Sequence, residues 1–345
     1  MRTNFFGPDV TFCGVPAADL DDPATYAAAG AVVVGGPFDG GTSHRPGCRF
    51  GPGAIRATDY LPHNGSRPHL ALGVDPLLEL PVVDVGDVLM VPGEIETALA
   101  ALEAAVERLA RSGTVPVVLG GDHSIALPDV TGVARHVGWG RVSVIHFDAH
   151  ADTGNTQFGS LYGHGTPMRR LIESGATRGD RFLQIGLRGY WPEPETLDWM
   201  AEQGMRSFEM TEVVARGLDA CLDDAFAIAT DDCDAVFVSV DVDVVDPGLA
   251  PGTGTPEPGG LTGRQLLDAV RRITMELPVA GLDIVEVSPP YDHAEVTAYL
   301  ANRVVLEALS GLAWRRRQQA GEAVRRPSDP LLADRPAGSA GPSRT

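Results

Sequence analysis

The sequence predicts an α/β fold built on a mainly parallel sheet, from three observations. Short apolar runs recur at residues 31–34, 115–119, 142–147, 182–185, 235–240 and 279–285, each the length of a strand buried on both faces. Helical patterns lie between several of them, as crossover connections require. Asp and His residues follow three of the runs directly, beyond the carboxyl ends of the strands, where open parallel sheets bind ligands.

In chain order, the first run ends in Gly35-Gly36-Pro37-Phe38-Asp39-Gly40-Gly41, a strand end turning into a loop, without the spacing of a dinucleotide-binding fingerprint. Asp84 and Asp87 close a further apolar run; with no ligand partner beside them, they read as turn-capping residues. Residues 94–112 repeat Leu, Ala and Val at helical spacing and stop at Gly113. The run 115–119 leads into Gly120-Gly121-Asp122-His123-Ser124, the run 142–147 into Asp148-Ala149-His150-Ala151-Asp152, and the run 235–240 into Asp241-Val242-Asp243. Asp231 and Asp232, just before that last run, read as solvated loop residues. Residues 246–260 are rich in Gly and Pro, a long irregular loop of the kind that carries function. Thr262 can cap a helix over 263–277, and the last run delivers Glu286. Trp314 to Arg317 is a small basic patch suited to a helix C-terminus. Residues 1–324 read as one catalytic domain, and the Pro-, Ser-, Gly- and Ala-rich 325–345 as a disordered tail.

Composition narrows the function classes. The 345 residues are 43% hydrophobic, enough for a sizeable core, with neither a membrane-length apolar run nor a signal peptide; a cytoplasmic location is expected. A formal charge of -19 opposes binding to nucleic acid or an anionic membrane surface and favours a small cationic partner. Cys13, Cys48, Cys221 and Cys233 have no C-x-x-C spacing, so reduced, packed thiols are expected. No lysine occurs, so Schiff-base chemistry and a P-loop lysine are excluded.

The chemistry lies in the three motifs. Carboxylates and imidazoles without thiolate suit Mn²⁺ better than a structural zinc. Alternate residues at a strand end face the same way, so Asp148, His150 and Asp152 can converge, as can Asp241 and Asp243. With His123 they supply enough ligands for two ions, which can lower the pKa of a shared water and support hydrolysis. Formal charge counting leaves such a cluster slightly negative, which attracts a cationic electrophile.

These motifs, with Gly40-Gly41-Thr42-Ser43, Arg45-Pro46-Gly47, Arg49-Phe50-Gly51-Pro52 and His164-Gly165-Thr166-Pro167, resemble the ureohydrolase family of arginases and agmatinases, and its agmatinase branch in particular. The similarity runs from Gly35 to about Leu312. It implies an arginase/deacetylase-like three-layer α/β/α fold with an eight-stranded sheet, assembled as a homo-oligomer, a trimer or hexamer. It also implies two Mn²⁺ per subunit, one held by His123, Asp148, Asp152 and Asp241, the other by Asp148, His150, Asp241 and Asp243, with Asp148 and Asp241 bridging. Attack on a guanidinium carbon would release urea and a primary amine, with Asp152 orienting the nucleophile and relaying its proton. Glu286 would pair with the guanidinium, and His164 would shuttle a proton to the leaving amine.

The substrate tail is less defined. Asn155, Tyr190, Trp191, Glu193 and Glu195 are candidate rim residues; an inward acidic side chain suits an amine, whereas an inward Arg45 or Arg49 suits a carboxylate. His44 and Cys48 stand where agmatinases more often carry Asn and Ala. Agmatine, cleaved to putrescine in polyamine biosynthesis, is the expected substrate. Guanidinobutyrase, guanidinopropionase, arginase and proclavaminate amidinohydrolase activities are alternatives, as is a catalytically silent metal-binding member. A metallophosphoesterase shares Gly-Asp-His, but its early D-x-H and late G-H-x-H are absent.

Overall fold

The computed structural model describes residue 4 and residues 6–58 and 68–322; the expected disordered tail lies outside the described residues. Eight parallel strands form one sheet: β1 (Ala31–Gly36), β2 (Val82–Asp87), β3 (Val115–Gly120), β4 (Val142–Phe147), β5 (Phe182–Ile185), β6 (Arg206–Phe208), β7 (Ala235–Asp241) and β8 (Val279–Val285). Their order is β2-β1-β3-β8-β7-β4-β5-β6. The six apolar runs of the sequence are β1, β3, β4, β5, β7 and β8.

Side chains alternate across the sheet, which produces two cores. Val33, Leu119, Ile145, Val238 and Ile284 pack toward the helices Leu218–Ala229, Gly263–Glu276 and Val296–Gln319. Val34, Val118, Val144 and Phe237 pack toward Ile95–Arg111, Ala126–Val137 and Pro167–Ser174. Three layers result, with both sheet faces covered, as an all-parallel sheet demands. The helix Gly263–Glu276 opens with the expected cap: Thr262 accepts from the Gln265 N–H in a reciprocal capping box. Among the described residues, no helix is long and apolar enough to cross a membrane.

Asp84 caps a turn as expected, its Oδ1 accepting from the Gly86 N–H at 2.8 Å, but Asp84 and Asp87 also share a partner that local reading does not supply. Both lie within β2, and the buried Arg56 guanidinium reaches Asp84 at 2.9 and 3.0 Å and Asp87 at 2.5 Å. The partner comes from the helix Gly51–Ala57, too distant in sequence for local reading to pair them. Asp231 and Asp232 are exposed as expected, yet paired: Arg181 holds Asp231 at 2.6 Å, and Arg141 holds Asp232 at 2.7 Å. The basic patch ends its helix, with Arg317 2.7 Å from Glu79.

The strand order positions the site. β3, β8, β7 and β4 are adjacent at the centre of the sheet, so the segments after them emerge side by side although they are far apart in sequence. Gly121, at the exit of β3, has no room for a Cβ, which would strike the carbonyl oxygens of Gly36 and Phe38.

Candidate metal centre and active site

His123, Asp148, Asp152 and Asp241 meet in a compact cluster. The Nδ1 atom of His123 lies 3.0 Å from Asp148 Oδ2, 3.0 Å from Asp152 Oδ2 and 3.2 Å from Asp241 Oδ2. A second group joins Asp148, His150 and Asp243, with His150 Nδ1 3.1 Å from Asp243 Oδ2 and 3.5 Å from Asp148 Oδ1. Asp148 therefore presents one carboxylate oxygen to each group. Asp241 turns Oδ2 to His123, while its Oδ1 accepts from the Asp243 N–H at 2.8 Å.

The tautomer of His123 shows what the first group fits. Ser239 Oγ donates to Asp283 Oδ1 at 2.8 Å; its single proton so used, it accepts from His123 Nε2–H at 2.9 Å. In the neutral ring the lone pair of Nδ1 then faces three carboxylates, and among the described residues this buried atom has no hydrogen-bond partner despite its close neighbours. Donors about 2.1 Å from an octahedral ion lie about 3 Å apart, which is the spacing seen here. Burial disfavours protonating His123, but Asp148, Asp152 and Asp241 hold its pKa well above the ordinary value. Likewise burial opposes, and Asp243 with Asp148 outweighs, so that His150 is pushed up to about 12. Divalent cations meet the same electrostatic demand and displace such protons on binding. Oxygen and imidazole donors without thiolate match a hard to borderline ion.

Outer partners orient these groups. Gln184 Nε2 donates to Ala151 O at 2.7 Å and lies 3.2 Å from His146 Nδ1, so His146 Nε2 carries the proton donated to Asp148 Oδ2 at 2.8 Å. Sequence reading missed His146, although it lies two residues before Asp148 on the same face of β4. It also missed Arg188, which donates to the carbonyls of Asp243 (2.7 Å) and Glu257 (2.6 Å) and so fastens the irregular loop to the second group. A lone arginine between a strand and a helix gives no such signal.

A cavity of about 410 Å³ opens over the cluster, lined by His150, Asp152, Asp241, His164, Ser43, Thr153, Gln157, Trp191 and Glu193 among others. His164 Nδ1 lies 2.8 Å from Glu286 Oε1, and its Nε2 is 2.6 Å from Ser43 Oγ. Burial lowers the His164 pKa, but Glu286 prevails and raises it to about 9. Glu286 is buried and does not line the cavity: Oε1 also accepts from the His123 N–H at 2.8 Å, and Oε2 accepts from the Cys48 thiol at 3.1 Å. Burial disfavours its charged form, yet His164 and these donors keep its pKa below the ordinary value. Asp152 and Glu286 both have left-handed backbone, φ 53° and 63°, an uncommon conformation away from glycine.

The rim candidates separate. Trp191 and Glu193 line the cavity; Tyr190 and Glu195 do not. Asn155, expected to bind substrate, is exposed outside the cavity, with Oδ1 3.4 Å from Arg170. Its neighbours Gly154 and Thr156 face the cavity instead. Neither arginine turns inward: Arg45 lies over the Tyr291 ring at 5.2 Å, and Arg49 is paired with Asp39.

The comparisons with known proteins agree with this geometry. Residues 29–311 match the Arginase family model. Proclavaminate amidinohydrolase of Streptomyces clavuligerus is 39% identical over 278 residues, 81% of this chain and 86% of that protein. Guanidinobutyrase of Pseudomonas aeruginosa is 37% identical over 88% of this chain and 92% of its own, and agmatinase of Edwardsiella ictaluri 37% over 81% and 86%. The solved structure of the Streptomyces clavuligerus amidinohydrolase superposes with a TM-score of 0.79 at 34% identity, covering 91% of this chain and all of that one (100%). With an eight-stranded parallel sheet and a His/Asp cluster beyond its central strands, the chain belongs to the arginase family.

Proposed function

We propose that this arginase-family hydrolase cleaves a guanidino compound with a cationic tail, agmatine best, to urea and a primary amine. The carrying observation is the charge of the cavity: Asp152, Asp241 and Glu193 line it with His150 and His164, and among the described residues no arginine does. A tail carboxylate would meet Glu193 without a guanidinium partner, whereas a tail ammonium gains a charge-assisted contact.

In this reading His123, Asp148, Asp152 and Asp241 hold one Mn²⁺, and Asp148, His150 and Asp243, with Asp241 adjoining, hold the other. When bound, the two ions supply an activated water and polarise the guanidino group. The protein does the rest. Asp152, on the cavity wall, orients the attacking oxygen and takes up its proton. The acidic cavity as a whole, with Glu193 on its wall, draws in the planar cation. His164, fixed by Glu286 through Nδ1, turns Nε2 and Ser43 toward the cavity and protonates the departing amine. Glu286 acts through His164 and the His123 backbone, a shift from the direct guanidinium contact that the resemblance implies.

The test is urea release by the manganese-loaded protein from agmatine, guanidinobutyrate, guanidinopropionate and arginine. The highest kcat/KM is expected for agmatine. A higher value for either guanidino acid would overturn the tail assignment, and manganese binding without urea release from any of them would overturn the reaction.

A further inference from the structure

We propose that Asp129 and Asp283 form a buried carboxyl–carboxylate pair that shares one proton, and that Asp129 thereby acts as a positioning residue for the ligand His123. Asp129 lies in the helix Ala126–Val137, directly after the turn that carries His123, and is completely buried. Neither of its carboxylate oxygens has a hydrogen-bond partner among the described residues. Asp283, on β8, is also completely buried. Its Oδ1 accepts from Ser239 Oγ at 2.8 Å and Val240 N–H at 3.2 Å, whereas Oδ2 has no partner.

The two deficits are complementary. Two carboxylate charges cannot both persist in such surroundings without donors. One proton on Asp129 turns it into a donor, and Asp283 Oδ2 is the buried acceptor that lacks one. Geometry brings the two together: the helix Ala126–Val137 packs on β8, with Val133, one turn after Asp129, over Gly281, two residues before Asp283 on the same strand face. Satisfied in this way, Asp283 stays anionic and keeps the Ser239 hydroxyl directed at Oδ1. Ser239 then accepts a hydrogen bond from His123 Nε2–H, which leaves Nδ1 free to bind a cation. Without Asp129, Asp283 Oδ2 is left with no donor, its charge is held less well, and its grip on the Ser239 hydroxyl weakens.

The pair can be read without substrate, so failure of the guanidine reading would leave it standing. The first measurement is infrared spectroscopy of the full-length, metal-free protein in H₂O and D₂O. The wild type is expected to show the carbonyl stretch of a protonated carboxylic acid shielded from water, and Asp129→Asn to lose it. No such band, or a band that survives in Asp129→Asn, overturns the shared proton. The second measurement is calorimetric titration with Mn²⁺ alone. Asp129→Asn, whose amide still donates, is expected to bind within about threefold of the wild type, and Asp129→Leu about tenfold more weakly. Unchanged affinity in a folded Asp129→Leu overturns the positioning role. Should that variant fail to fold, a more than tenfold loss in Asp129→Asn does so, because the amide preserves the donor.

Discussion

Glu286 holds His164 through a 2.8 Å contact between Oε1 and Nδ1, and both side chains are buried. The carboxylate thereby fixes the ring orientation and favours the imidazolium against burial, while the Ser43 N–H lies 3.1 Å from Nε2.

That pair predicts a pH signature in the metal-free protein. The His164 ring is expected to titrate near pH 9, and Glu286→Gln to lower that clearly, since the largest charge opposing burial is gone and only Asp152 and Asp122 still favour the imidazolium. Because the folded pKa is raised, the stabilisation is complete below about pH 6.5 and is lost as pH rises through 9. Ring ¹⁵N NMR titration and denaturation from pH 6 to 10 check it. An unshifted His164 in Glu286→Gln would refute the pairing.

Asp148 presents an oxygen to each of the two His/Asp groups, so on the proposed two-ion reading its loss should affect both ions. Asp148→Asn is expected to bring manganese content close to none, whereas Asp243→Asn should retain the His123 group. Ser239→Ala, which frees the outer nitrogen of His123, should weaken binding about 10- to 100-fold. Elemental analysis after dialysis and calorimetric titration distinguish the three; equal manganese retention in the two Asp variants would contradict the shared role of Asp148.

Glu193 is the acidic side chain of the cavity rim beside Trp191. Glu193→Gln is expected to raise KM for agmatine about fivefold, the size of a partly screened charge contact, with kcat little changed. KM for guanidinobutyrate should stay level or fall. Steady-state urea assays with both substrates provide the check, and equal changes for both would remove Glu193 from tail recognition.

Arg56 neutralises two buried carboxylates at once. Arg56→Met is expected to destabilise the fold by about 3–5 kcal/mol by leaving Asp84 and Asp87 uncompensated. Adding Asp84→Leu should recover part of that loss. Urea denaturation of the single and double variants measures it; an additive, still more unstable double variant would show that the pair is not coupled.

Much of the molecule can be read from local sequence. Long apolar runs mark the central strands because strands buried on both faces need them, and alternation at β4 and β7 places Asp148, His150, Asp241 and Asp243 without reference to any other segment. The capping box at Thr262 and the turn after β3 are likewise local events. β6 is only three residues long with a partly exposed start, too weak a pattern to be seen in sequence.

What tertiary structure alone decides is which distant residues meet. The order β3-β8-β7-β4 makes neighbours of segments some 160 residues apart, so Glu286 comes to hold His164 and His123, and Asp283 comes to stand behind Ser239. The same packing gives Asp84 and Asp87 a shared partner in Arg56, and turns Asn155 and both rim arginines away from the cavity. Sequence determined the ligand types, their strand-end positions and the reaction class they permit, because these depend on periodicity and donor chemistry. Charge pairing and the direction of loop side chains depend on three-dimensional neighbours, which no local pattern encodes.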